Sequence, residues 1–157
     1  MTKTHWKKLT NPDYLGAYAF DPGEEKIVTI RDVDREMVIG AGGKKEDCTV
    51  IRLYDEKPMI ANATNQRAIQ KLLGSPYIED WIGKSIILKT MRVQAFGETT
   101  DAVRVKPQLP ILPTCEKCGK QLAPFGEHGP FLLAKVAREK FGKTLCVECA
   151  KSEKQPE

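Results

Sequence analysis

Four of the chain's five cysteines stand in two C-x2-C pairs, Cys115 with Cys118 and Cys146 with Cys149. A pair at this spacing sets two sulfurs on one tight turn, aimed the same way, and so supplies half of a tetrahedral metal site. Gly119 directly follows the first pair and suits the left-handed residue that such a knuckle needs. Together the pairs predict one Zn2+ held by Cys115, Cys118, Cys146 and Cys149. With sulfur in all four positions no place is left for a water, so the predicted metal is structural rather than catalytic. A redox use of the thioredoxin kind would need a strand before one pair and a helix after it, within a βαβ unit, and neither pair has that setting. The fifth cysteine, Cys48, opens a predicted strand and reads as a buried small hydrophobe. His128 could replace a cysteine as ligand, but in its Gly/Pro-rich stretch it reads as a surface loop residue.

The elements that must position these thiols divide the chain. "KPQLPILPTC" (106–115) carries Pro107, Pro110 and Pro113, a spacing that favours an extended connector and continues neither helix nor sheet. The predicted division is a domain over 1–107 with an N-terminal extension, a Pro-rich linker over 108–114 and a four-cysteine module over 115–157. Within the module "FLLAKVAREKFGK" reads as a helix, and the layout fits a zinc-ribbon or treble-clef-like fold. A module of this size buries too little apolar surface to be stable alone, and metal binding would supply the missing folding energy.

Upstream the period is mostly two. "EKIVTIRDVDREMVIG" predicts a long first strand with a bend or bulge at "RDVDRE". "AGGKKED" reads as a turn, "CTVIRLYD" as a second strand and "EKPMIANA" as a short third after a turn at Asp55–Lys57. Within the second strand Thr49, Ile51 and Leu53 share one face, and Val50, Arg52 and Tyr54 the other. The period then changes: Thr64 or Asn65 as N-cap, Ala68, Ile69, Leu72 and Leu73 at helical spacing, and Gly74 with Pro76 as the stop predict one helix. "KSIILKTMRV" and "DAVRVKP" are two further strands joined by "QAFGETT". The fold class is therefore mainly β: a five-stranded OB-fold barrel with one helix between strands 3 and 4, plus the small cysteine module. An SH3-like barrel is the competing layout, but it lacks a helix of that length at that place. The helix should plug the open end of the barrel and bury Ile69, Leu72, Leu73 and Trp81.

Little else in the chain could do chemistry. Asp13, Asp21, Asp32, Asp34, Asp47, Glu79 and Asp80 are scattered over turns rather than gathered as in a nuclease. "GAGGKK" is followed by neither Ser/Thr nor a clear helix, so it is no phosphate-cradling loop. Two histidines and no Ser/His/Asp arrangement leave little for acid–base work, and the chain is expected not to be an enzyme. The 17 Lys/Arg and 15 Asp/Glu of residues 1–107, and the 8 and 6 of residues 108–157, leave each part at +2 and the chain at +4. A tetrathiolate zinc centre would lower this to about +2, so net charge alone does not argue for nucleic acid. No run approaches the roughly 20 apolar residues of a membrane span, and the start lacks the apolar core of a secretory signal. A cytoplasmic protein with reduced thiols and no membrane partner is expected.

Two stretches resemble known phage proteins. "MIANATNQRAIQKLLGSPYIEDWIGKSIILKTMRVQAFGETTDAVRVKP" is similar to small OB-like proteins of bacteriophages and prophages, in which an asparagine-rich turn, a helix and a "W-[IV]-G-K" step lead into the fourth strand; here that step is Trp81-Ile82-Gly83-Lys84. "CEKCGKQL…AREKFGKTLCVECAK" resembles a zinc module appended to phage single-strand annealing and single-stranded-DNA-binding proteins, with "FGK" before the second pair, here Phe141-Gly142-Lys143. The two cover about residues 20–150. They imply single-stranded-DNA binding in phage replication or recombination, in a bacterial host's cytosol, with phage replication or recombination proteins or a host protein as further partners. The alternative is an adaptor, or an inhibitor of a host defence enzyme.

An OB barrel binds single strands across its second and third strands and adjoining loops, by a basic groove with aromatic platforms. The candidates are Arg52 and Tyr54 on strand two, Lys44 and Lys45 before it, Lys89 and Arg92 on strand four, Phe96 in the next turn and Arg104 on strand five. Lys and Arg at alternating strand positions are also what an ordinary solvated face carries. With only 7% aromatic residues, stacking would lean on Tyr54 and Phe96, while Phe20, Tyr77 and Trp81 read as core or rim packing.

Overall fold

The computed structural model describes residues 13–39, 43, 45–95 and 97–153. Lys44 and Phe96, two of the candidate binding residues, lie outside them, as does the whole segment before Asp13. The chain divides into two compact units, Met1–Leu109 and Pro110–Glu157.

The first unit is one antiparallel sheet of five strands: β1 (Glu25–Ile39), β2 (Lys45–Tyr54), β3 (Glu56–Ala61), β4 (Ser85–Ala95) and β5 (Glu98–Val105). Helix α1 (Ala63–Leu73) falls between β3 and β4, and the order across the sheet is β3-β2-β1-β4-β5. Among the described residues no ladder joins β3 to β5, so the sheet is open. β1 reaches both sides of the sheet by changing partner. Its first residues pair with β4, from Glu25↔Lys89 to Thr29↔Ser85, and its remainder pairs with β2, from Thr29↔Tyr54 to Ile39↔Lys45. The register slips between Ile30 and Asp32, which leaves Arg31 as the extra residue of a bulge within "RDVDRE".

Alternation then decides the faces. Val28, Ile30, Val33, Ile51, Leu53, Met59, Ile86, Leu88 and Val105 bury into one core with Ile69 of α1, Trp81 and the preceding-segment residues Leu15 and Phe20. Leu72 and Leu73 pack against this core while remaining partly exposed. Tyr77 is 67% exposed and belongs to no packing layer, because it caps a short 3-10 turn on the solvent side. Val38 and Val50 are buried outside the main cluster, on the opposite face.

Four local outcomes differ from the sequence reading. β2 begins at Lys45, inside the predicted turn, because β1 extends to Ile39 and offers a pairing partner there. α1 is capped by Asn62 rather than Thr64 or Asn65: the Asn62 side chain accepts from the Asn65 N–H at 2.9 Å. Cys48 is only half-buried and lies opposite Glu36 on the face away from the core, so it is not core filler. The turn between β2 and β3 is tighter than predicted, a single residue, Asp55, at φ 61; Asp is among the few side chains that tolerate the left-handed region.

α1 links the two edges of the sheet. Asn65 Nδ2 donates to Val103 O of β5 at 3.0 Å, and Gln66 Nε2 donates to Ala61 O of β3 at 2.8 Å. Gly74 ends the helix at φ 75, its N–H on Gln70 O.

The second unit holds α2 (Pro130–Phe141), α3 (Val147–Ser152) and two isolated antiparallel bridges, Thr114↔Gln121 and Phe125↔His128. Pro130 at the first turn and Gly142 at φ 74 bound α2 as such residues do. Its core is small: Cys115, Leu122, Ala134, Ala137 and Leu145, with Cys146 and Cys149 at its margin.

Candidate metal centre and sheet face

The knuckle at 115–118 turns on backbone bonds. The Cys115 N–H donates to Lys120 O at 2.8 Å, the Gly119 N–H donates to Cys115 O at 2.9 Å, and Gly119 sits at φ 79. The second pair sits at the start of α3, Cys146 as N-cap and Cys149 in the first turn. The segment between α2 and α3 returns to the knuckle by reciprocal bonds. The Glu116 N–H donates to Thr144 O at 2.9 Å, and the Thr144 N–H donates to the Glu116 carboxylate. Lys117 and Lys143, one from each side, share Glu153 at 3.4 Å each. These ties bring together sulfurs about thirty residues apart in sequence.

All four Sγ atoms lie within 4.8 Å of one another, and Cys118 Sγ is 3.8 Å from Cys146 Sγ. A tetrahedron with metal–sulfur bonds of about 2.3 Å has edges of about 3.8 Å. The four cysteines therefore have the donor set and spacing to hold a metal ion. Their protons tell the same story. Burial opposes ionisation of Cys115, yet the N–H groups of Cys146, Cys118 and Lys117 bring its thiol down to about 6. Cys149 is pushed up to about 12, chiefly by the Cys146 thiol, then by burial and by Cys115 and Cys118. Four sulfurs this close cannot all carry charge at neutral pH unless a cation joins them. His128 stands apart from the cluster, its backbone bridged to Phe125. Among the described residues these four cysteines are the one cluster of potential ligands.

On the sheet, the predicted binding residues divide by parity. Arg52 and Tyr54 lie on the face opposite the core, since their neighbours Ile51 and Leu53 are buried in it. Lys89 and Arg104, which face each other across β4 and β5, lie on that same face, because Leu88 and Val105 point inward. Lys45 and Arg92 have the other parity. Lys45 pairs with Ile39 at the far end of the β1–β2 ladder, and Arg92 ion-pairs with Asp101 at 3.5 Å.

A residue missed by the sequence reading completes the first group. Arg31 holds its guanidinium 5.5 Å from the centroid of the Tyr54 ring. The bulge predicted at "RDVDRE" was the available signal, since a bulge re-aims a side chain. Tyr54 itself pairs with Thr29, whose hydroxyl meets that of Ser85 at 2.7 Å in a buried cross-strand row.

This face also carries acids. Asp32, Asp34 and Glu36 alternate along β1 opposite Arg52, Val50 and Cys48. Arg52 ion-pairs with Glu36, and Glu25, opposite Lys89, holds Lys106 at 2.8 Å. No helix among the described residues is long and apolar enough to cross a membrane. Sheet and cysteine cluster define a mainly β protein with a separate candidate metal-binding unit. Comparison with known proteins returns no matching family, no matching curated protein and no matching solved structure.

Proposed function

We propose that the first unit is an OB-fold barrel that binds single-stranded DNA on the face opposite its core, in phage replication or recombination, and that the second unit is a treble-clef-like module built on a structural Zn2+ held by Cys115, Cys118, Cys146 and Cys149. The observation that carries the binding reading is the shared face of Arg52, Tyr54, Lys89 and Arg104, with Arg31 against the tyrosine ring. Cations spaced along a sheet with an aromatic among them are what a single strand needs, phosphate contacts and a stacking surface. The barrel reading rests on the strand order with α1 bonded to both β3 and β5, which spans the gap a barrel of this order must close.

Each phosphate contact contributes a salt slope of about −0.7 for a single strand, so a handful of cations gives modest, salt-sensitive affinity. The test is fluorescence anisotropy of labelled oligo-dT with zinc-supplemented full chain at two salt concentrations. Binding at low salt that weakens at high salt is the expected result; no binding at low salt ends the reading.

One observation favours the second reading, an adaptor or an inhibitor of a host defence enzyme. Asp32, Asp34 and Glu36 line the same face, and Arg52 is already committed to Glu36. A polyanion must break that ion pair, whereas a protein partner of mixed charge need not. A pull-down from host lysate that survives nuclease treatment, with no DNA retained, selects this second reading.

A further inference from the structure

The second unit carries an apolar groove that the metal centre does not use. It measures about 300 Å³ and lies along one stripe of α2, where Leu133, Val136, Ala137, Lys140 and Phe141 recur at helical spacing. Leu145, Val147, Ala150 and Phe125 complete its lining. Val136 is 39% exposed and Phe125 54% exposed, so the unit leaves apolar surface open that its own core does not cover. The only charged side chains lining the groove are Lys140 and Lys151, and no carboxylate lines it. Lys151 places its ammonium 5.5 Å from the centre of the Phe125 ring, which holds that cation at the groove's edge.

We propose that this groove is a docking site for a short acidic peptide segment of a partner protein, one that sets a bulky apolar side chain into the cleft and its carboxylates on Lys140 and Lys151. The charge pattern selects the occupant: an apolar floor with two rim cations and no rim acid fits an apolar anchor flanked by Asp or Glu. A nucleic-acid strand fits less well. Apart from its two lysines the lining is apolar and offers a base edge no polar partner. The groove lies wholly within the second unit, so this inference stands or falls apart from DNA binding by the sheet.

The experiment uses the zinc-supplemented full chain and a fluorescein-labelled synthetic peptide in which a run of aspartates precedes leucine and phenylalanine, read by anisotropy. Two control peptides replace the aspartates by glutamine or the apolar pair by serine. The expected result is saturable binding of the first peptide alone, weakened about tenfold or more by Val136→Asp and by Lys151→Glu. Both positions are exposed, and an unchanged metal content by native mass spectrometry certifies the fold of each variant. Unlabelled oligo-dT is added as competitor. Displacement of the peptide by oligo-dT, equal binding of all three peptides, indifference to both variants, or no binding of the first peptide each overturns the proposal.

Discussion

Asn65 and Val103, thirty-eight residues apart, are joined by a 3.0 Å hydrogen bond from the Asn65 amide to the Val103 carbonyl, which links α1 to the edge strand β5. Asn65 is 3% exposed, and its Oδ1 has no protein partner, so the side chain's whole polar return comes through Nδ2. Asn65→Ala removes this bond while the Arg104 side chain still donates to the same carbonyl at 3.0 Å, and it is expected to lower unfolding free energy by about 0.5–1.5 kcal/mol. Urea unfolding followed by tryptophan fluorescence measures it. A loss below the error of that measurement would show that this bond does not hold the helix to β5.

That apolar face supplies the larger share. Ile69 is fully buried against the sheet, and Ile69→Ala is expected to cost about 2–5 kcal/mol, beyond the loss at Asn65. The same denaturation series ranks the two, and the opposite ranking would place the latch above the packing.

In the second unit, Cys146→Ser should abolish stoichiometric metal binding, since Cys118 Sγ and Cys146 Sγ span one edge of the ligand set. Native mass spectrometry should fall from one metal ion per chain to none, and the far-UV signal of α2 should weaken with it. Retention of one ion per chain would refute the ligand assignment. Cys48→Ser, on the other unit and outside the cluster, should leave the metal content unchanged.

Metal release should follow pH with a defined sign. Cys115 is held low, to about 6, so its thiolate, and the stability that comes with it, is present above the ordinary thiol value and is lost as pH falls through about 6. Cys149, pushed up to about 12, must give up a proton to bind metal, so acid competes with the ion there as well. Acid thus competes with the ion for the thiolates, and a chelating dye mixed with the protein should gain metal signal as the pH is lowered from neutral. A release curve that does not move with pH at all would count against a thiolate-held ion.

On the sheet, Tyr54→Ala should weaken oligo-dT binding by roughly 1–3 kcal/mol, the worth of one base stacked on an aromatic ring. Glu36→Gln makes the sharper test. It removes the carboxylate that holds Arg52, so it should strengthen oligonucleotide binding and steepen its salt dependence by about one phosphate contact. Anisotropy titrations at several salt concentrations read both, and a weaker complex for Glu36→Gln would remove Arg52 from the binding path.

The cysteine spacing, the helix between the third and fourth strands and the inward set Ile51, Leu53 and Ile69 were all legible in the chain, because each is a local pattern. A two-residue gap sets two sulfurs on one turn, and periods of 2 and 3.6 assign faces whatever the partner is. Strand ends were less legible. Whether Lys45 belongs to a strand depends on whether Ile39 lies across from it, which is a fact of pairing rather than propensity. Asn62 caps α1 by accepting from the Asn65 N–H, while the Asn65 amide is engaged by Val103 of β5, a contact no local window contains. The cations were visible by type but not by company. Only the register reveals that Arg52 meets Glu36, Arg92 meets Asp101 and Arg31 turns onto Tyr54, since ladders join residues far apart along the chain. The sequence by itself determined which residues could bind metal and which could face a core. The tertiary structure decided which charges neutralise one another and which surfaces stay open, because those depend on distances that only pairing and packing set.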